Sequence, residues 1–195
     1  MTDLSSAVNA INVVAVSGGV GFPSSTRRLT DALLHAVEEA AGEAAVLTRT
    51  IEVRDLAVDV AHATVAGLPS PELDDALRAI EQADLVITAS PVFRGSYAGI
   101  FKSLWDLVDP VAMRGKPVLL GATGGSMRHQ LVIDQVLRPL FAYFGSLIVP
   151  TGVYAATEDV DLGPSRAPEL ARRIEQAGAD ALRLVPARAP SRSGG

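Results

Sequence analysis

Three stretches of this chain combine glycine and hydroxyl residues in patterns that could do chemistry, and each follows an apolar run. The first is Ser17-Gly18-Gly19-Val20-Gly21-Phe22-Pro23-Ser24-Ser25-Thr26-Arg27. It joins the β-branched run Val13 to Val16 to an amphipathic segment with Leu29, Leu33, Val37, Ala40 and Ala41 along one face. That is the pattern of a strand, a turn and a helix N-terminus. Unpaired backbone N–H groups and the positive end of the helix dipole fit such a terminus to hold a phosphate. Ser24, Ser25 and Thr26 would add hydroxyl donors, and Arg27 a fixed charge with fork geometry. The same residues also fit a plain βα connection, in which glycines allow the turn and serines cap the helix. The glycine spacing is neither G-x-G-x-x-G nor that of a Walker loop, which argues against both of those nucleotide sites.

The second stretch is Ser90-Pro91-Val92-Phe93-Arg94-Gly95-Ser96 and the third is Thr123-Gly124-Gly125-Ser126. No cysteine occurs, which excludes disulfides, thiolate chemistry, cysteine-ligated zinc and iron–sulfur clusters. A redox function would need a borrowed cofactor. His35 and His62 stand apart and form no metal constellation. A net charge of -5 argues against a nucleic acid or an anionic membrane as partner. No apolar run reaches the ~18 residues of a membrane span, and the first residues lack the build of a signal peptide, so the expected compartment is the cytoplasm.

The elements that must position these stretches are read from periodicity. Strands are expected at Ile11 to Ser17, Ala45 to Val53, Ala83 to Ser90, Pro117 to Ala122 and Ser146 to Pro150, the last resuming near Val153. Helices are expected from Ser25 to Gly42, from Ser70 to Gln82, from Tyr97 to Val108, from His129 to Phe144 with a kink or break near Leu137 at Pro139, and from Ser165 to Leu184. Arg54 to Pro71 has no clear period and reads as a long connection. Residues 1–10 are expected to be flexible, 11–185 to form one domain, and 186–195 to be disordered. Five strands alternating with helices give an α/β fold, a three-layer doubly wound parallel sheet with right-handed crossovers. In the flavodoxin-like order 2-1-3-4-5 the three stretches leave the carboxyl ends of adjoining strands and meet at one place.

At this point the chain resembles the NAD(P)H-dependent FMN reductases of the flavodoxin-like superfamily. The resemblance is carried by Phe22-Pro23-Ser24 with Thr26, by Pro91 to Gly99, and by Ala122-Thr123-Gly124-Gly125-Ser126. Asp106, Leu107, Arg114-Gly115-Lys116-Pro117, and His129 with Asp134, Arg138 and Pro139 add to it. It implies a single FMN-binding domain in which Ser17, Ser24, Ser25, Thr26 and Arg27 serve the phosphate end. Pro91, Val92, Phe93, Arg94, Gly95 and Ser96 would wrap the ring and ribityl chain, and Thr123, Gly124, Gly125 and Ser126 would approach the ring edge. Many relatives carry a serine near Gly19 and an arginine near Gly21; this chain has neither, which makes Arg27 the substitute.

The implied reaction is hydride transfer from C4 of NADH or NADPH to flavin N5, with no protein residue as catalytic acid or base. The implied partners are a flavin-dependent monooxygenase that receives reduced FMN and further copies of this chain in a homodimer or homotetramer. The alternatives on the same fold are an FMN-containing quinone or azo reductase, and a non-enzymatic electron carrier.

Overall fold

The computed structural model describes residues 10–156, 159 and 167–186. The expectations for both ends of the chain, and for the start of the last helix at Ser165, lie outside these residues. Strand β1 (Ile11–Ser17) is an inner strand of the sheet, and its side chains alternate between two cores. Val13 and Ala15 join one cluster, Val14 and Val16 the other. Such two-sided burial gives a continuous apolar run rather than an alternating one.

Helix α1 (Ser25–Ala41) begins where Ser24, in extended conformation, accepts the Arg27 N–H on its hydroxyl. Its buried face holds Leu29, Leu33, Ala36 and Val37. Strand β2 (Val46–Glu52) pairs with β1 in parallel as an edge and is mostly solvent-facing. The segment expected to be a long connection instead forms a 3-10 turn, Val53–Leu56, and helix α2 (Ala57–Ala66). Only Val60 and Ala63 of α2 are buried, while Val58 and Val65 are 81% and 90% exposed. The apolar residues therefore do not mark one face, and the period is lost.

Helix α3 (Pro71–Gln82) starts with the Ser70 cap, a first-turn proline and acidic Glu72 and Asp74. Strand β3 (Leu85–Phe93) runs three residues past the expected end and turns back as β4 (Ser96–Tyr97). The two central turn residues, Arg94 and Gly95, have φ of 52° and 82°, as a two-residue type I′ hairpin requires. Tyr97 therefore lies in a strand, and helix α4 (Gly99–Trp105) is shorter than expected at both ends. After α5 (Pro110–Met113) comes β5 (Pro117–Gly124), buried along its whole length.

Lys116, just before β5, sends its buried ammonium to the carbonyls of Ile80, Glu81 and Ala83 at 3.2, 2.8 and 2.7 Å. It thus closes the C-terminal end of α3. Lys116→Met is expected to lower unfolding free energy by about 2–3 kcal/mol, because three carbonyls lose a charged donor. Denaturant titration checks this. Burial holds the Lys116 pKa below the ordinary lysine value, with Asp84 and Glu81 pulling the other way. The folded chain then releases this proton more readily than the unfolded chain. The residue's contribution to stability therefore rises with pH as pH approaches the ordinary lysine range, a slope the Met variant should lose.

The single helix expected from His129 to Phe144 is three pieces: a 3-10 turn Met127–His129, a π-helical turn Ile133–Leu137, and α6 (Arg138–Tyr143). Arg138 N–H bonds to Ile133 five residues back, and Pro139, which has no N–H, sits in the first turn of α6. The break near Leu137 is where the sequence put it. Strands β6 (Leu147–Ile148) and β7 (Val153–Ala156) both pair with β5 in parallel, at its start and its end. They are one edge strand interrupted around Pro150. The sheet therefore has seven strands, not five, in the order β2-β1-β3-β5-β6 with β4 on β3 and β7 on β5. Helix α7 (Pro168–Leu184) lies against α1, with Ala177, Gly178 and Ala181 buried.

Candidate functional site

The three glycine-rich stretches do leave one edge of the sheet. Ser17 is in register with Ala89 across β1 and β3, and Pro91 with Thr123 across β3 and β5. The first and third loops are joined directly: Thr26 and Thr123, each 3% exposed, share a hydroxyl–hydroxyl bond of 2.7 Å. This contact, between residues far apart in sequence, locks the start of α1 to the end of β5.

In loop one, residues 18–24, the Ser24 hydroxyl lies so close to Gly19 that any Cβ there would collide with it. The N–H groups of Ser25 and Thr26 open α1 and have no carbonyl one turn back to bond. Ser17, fully buried at the end of β1, has a hydroxyl with no hydrogen-bond partner. An orphaned buried donor, a close backbone approach and two free N–H groups suit a phosphate-bearing ligand with a polyhydroxy chain.

Arg27 is placed differently from the expectation that it stands ready for a phosphate. Its Nε bonds Asp31 at 2.7 and 2.9 Å, and its Nη1 bonds Glu52 at 2.6 Å. The cation nearest the turn of loop one is Arg54, which no sequence signal singled out. Arg54 Nη1 donates to the Gly21 carbonyl at 2.8 Å, and its guanidinium lies 5.3 Å from the Phe22 ring centroid. Glu52 holds it at 2.8 Å, so one carboxylate anchors both arginines. The signal available was Glu52 and Arg54 flanking Val53 at the end of the second strand, beside loop one in the 2-1-3 order. Arg54→Ala is expected to loosen this loop, and faster limited proteolysis at loop one would read it.

Loop two is the β3–β4 hairpin. Ser90 stabilises its base, accepting from the Ala98 N–H at 3.0 Å and donating to the Pro91 carbonyl at 3.0 Å. Pro91, Val92 and Ser96 are half-buried, while Phe93, Arg94 and Gly95 are exposed at the tip. In loop three Thr123 and Gly124 are buried, Gly125 is exposed, and Ser126 is held through its carbonyl by the Tyr154 hydroxyl at 2.6 Å. Tyr154 was also not foreseen, though it stands in β7, which pairs with the end of β5 beside loop three. Burial raises its pKa above the ordinary phenol value, so it remains a donor at neutral pH.

Among the described residues, no helix is long and apolar enough to cross a membrane. No group of His, Asp and Glu among them could hold a metal ion.

The chain matches known proteins over most of its length. The family model described as NADPH-dependent FMN reductase matches residues 11–161. An FMN reductase (NADPH) of Pseudomonas aeruginosa is 49% identical over 150 residues, covering 76% of this chain and 78% of that one. The NADH-dependent FMN reductase SfnF of Pseudomonas fluorescens is 48% identical over 149 residues, with the same coverage. Among solved structures, an oxidoreductase from Corynebacterium diphtheriae superposes with a TM-score of 0.85 at 35% identity, covering 91% of this chain and 97% of that one.

Proposed function

Because the chain belongs to the NADPH-dependent FMN reductase family, and is thus an NAD(P)H-dependent oxidoreductase acting on FMN, we propose that the three loops form its flavin site. The observation that carries this is the Thr26–Thr123 bond, which couples a helix N-terminus suited to phosphate to the loop beside the ring. FMN held there would supply the redox chemistry, as acceptor of the hydride that NADH or NADPH carries.

The N–H groups of Ser25 and Thr26 hold the phosphate at the positive end of α1, with the Ser24 and Thr26 hydroxyls beside them. Arg27, through Glu52 and Asp31, fixes the first turn of that helix. The Ser17 hydroxyl offers a donor to the ribityl chain from the floor of loop one. Pro91, Val92, Phe93 and Ser96 shape the ring pocket, and the Arg94–Gly95 turn sets the position of its outer lip. The N–H groups of Gly125 and Ser126 would serve as fixed donors for negative charge on a reduced flavin. No side chain carries a proton-transfer role.

Phe22 is 90% and Phe93 47% exposed, so the rim is open. An open rim suits exchange of reduced FMN with a separate flavin-dependent monooxygenase. Exposed Met127 and Leu131 beside loop three suit contact with a second copy in a homodimer or homotetramer.

The test is an anaerobic titration of the protein with FMN, followed by NADH or NADPH while flavin absorbance is recorded. The expected result is saturable binding and then bleaching by at least one nucleotide, with binding weakened by Thr26→Val. Wild-type binding in that variant would remove the Thr26–Thr123 bond from the site.

A further inference from the structure

A cavity of about 290 Å³ opens one residue beyond loop three, lined by Met127, Gln130, Asp134, Arg138, Tyr154 and Arg173 among others. It shares a wall with the loop, because Tyr154 both lines the cavity and holds the Ser126 carbonyl at 2.6 Å. Two arginines reach it from different helices. Arg138 of α6 donates to the carbonyls of Val149 and Pro150 at 3.2 and 2.6 Å, and through Nε to Asp134 at 2.6 Å. Arg173 of α7 is anchored through Nε to the Gly152 carbonyl at 2.8 Å, a bond that orients the rest of its fork without neutralising its charge.

Among the described residues of the lining Asp134 is the one acid, and Arg138 already binds it. The cavity is thus cationic in a chain of net charge -5. A concave cationic spot on an acidic protein attracts an anion locally while the rest of the surface repels it. The anionic molecule that must come to this edge for every turnover is the nicotinamide dinucleotide, whose diphosphate is joined to the nicotinamide through a ribose.

Resting on the reading that loop three borders the flavin ring, we infer that this cavity takes the diphosphate of NAD(P)H, with Arg173 as its principal contact. The nicotinamide then reaches the flavin past Ser126, and the adenosine half lies toward α7. The site serves NADH and NADPH alike, since both carry the diphosphate.

Arg173→Gln tests this, because glutamine keeps a donor for Gly152 and removes the charge. ADP-ribose, which has the diphosphate and no nicotinamide, is titrated calorimetrically against the FMN-loaded protein. Steady-state rates are measured with NADH, NADPH and reduced nicotinamide mononucleotide, which lacks the diphosphate. The substitution should weaken ADP-ribose and lower kcat/KM for both dinucleotides about tenfold or more, the scale of one lost charge-assisted bond. The rate with the mononucleotide and the affinity for FMN should be unchanged. Unchanged ADP-ribose binding, or an equal loss with the mononucleotide, would overturn the inference.

If the variant does not fold, the wild-type protein still decides. ADP-ribose must compete with NADH and not with FMN, and competition with FMN would place it in the flavin site and sink the inference. FMN affinity, read in the same titrations, separates a failure of this site from a failure of the flavin reading.

Discussion

Gly124→Ala is expected to weaken FMN binding tenfold or more, and adding Tyr154→Phe is expected to recover the part due to the clash but not the part due to the lost Ser126 bond. A Cβ at position 124 would fall on the Tyr154 hydroxyl, well inside contact distance. That hydroxyl cannot swing clear, because the ring is 8% exposed and its oxygen is bound to the Ser126 carbonyl. Either the tyrosine leaves Ser126 or the glycine backbone shifts, and both displace loop three. Forced overpacking of this kind costs about 1–3 kcal/mol. Removing the hydroxyl leaves ring carbon Cζ, 3.3 Å from the new methyl, as the nearest atom, a contact that small movements relieve.

Fluorescence titration of the wild type, both single variants and the double variant forms a complete cycle, with the coupling expected to be favourable. Unaltered FMN affinity in Gly124→Ala would take loop three out of the flavin site.

Gly178→Ala is expected to destabilise the whole fold by about 2–3 kcal/mol, and no companion substitution should rescue it. Here the added methyl meets backbone: the Ala36 carbonyl carbon and oxygen at 2.6 Å, with the Ala36 Cβ at 2.9 Å. Trimming Ala36 to glycine removes the third contact and leaves the first two. Helices α1 and α7 must therefore part, opening the cluster in which Ala177 and Ala181 pack with Leu33 and Val37. Urea unfolding of Gly178→Ala alone and with Ala36→Gly reads the effect, and stability restored in the pair would contradict the backbone origin of the clash.

The elements that the sequence made legible are those whose burial is simple. β1, β3 and β5 are buried on both faces and read as unbroken apolar runs. α1 and α3 have serine caps and one-sided stripes, so their starts were visible to within one residue. The broken edge strand was visible as well, because Pro150 divides two short apolar runs. α2 was hidden by its exposed valines. The β3–β4 hairpin was hidden because Arg94, not the usual asparagine or aspartate, occupies the first positive-φ position.

At the site, the loops and the residues Thr26 and Thr123 were named from their types, but the bond between them depends on a register that only the folded sheet sets. Arg27 looked available because its two carboxylates lie elsewhere: Asp31 one turn along the helix, and Glu52 on a strand 25 positions away. Arg54 was overlooked because the segment after it was read as unstructured connection. Local chemistry was thus legible where it depends on residue type, and obscure where it depends on which charges meet across elements.

The interruption of the outer strand has a consequence for the fate of the protein at high concentration. An uninterrupted outer strand offers a ladder of free backbone groups on which a stranger's strand can grow. Here the ladder has only two rungs at β6 before Pro150, and the Val149, Pro150 and Gly152 carbonyls at the gap are already occupied by Arg138 and Arg173. The opposite margin, β2, carries Arg49 pinned by Asp75 at 2.6 Å. Each margin of the sheet thus carries a local obstacle to intermolecular β-pairing, a broken ladder on one side and a pinned charge on the other.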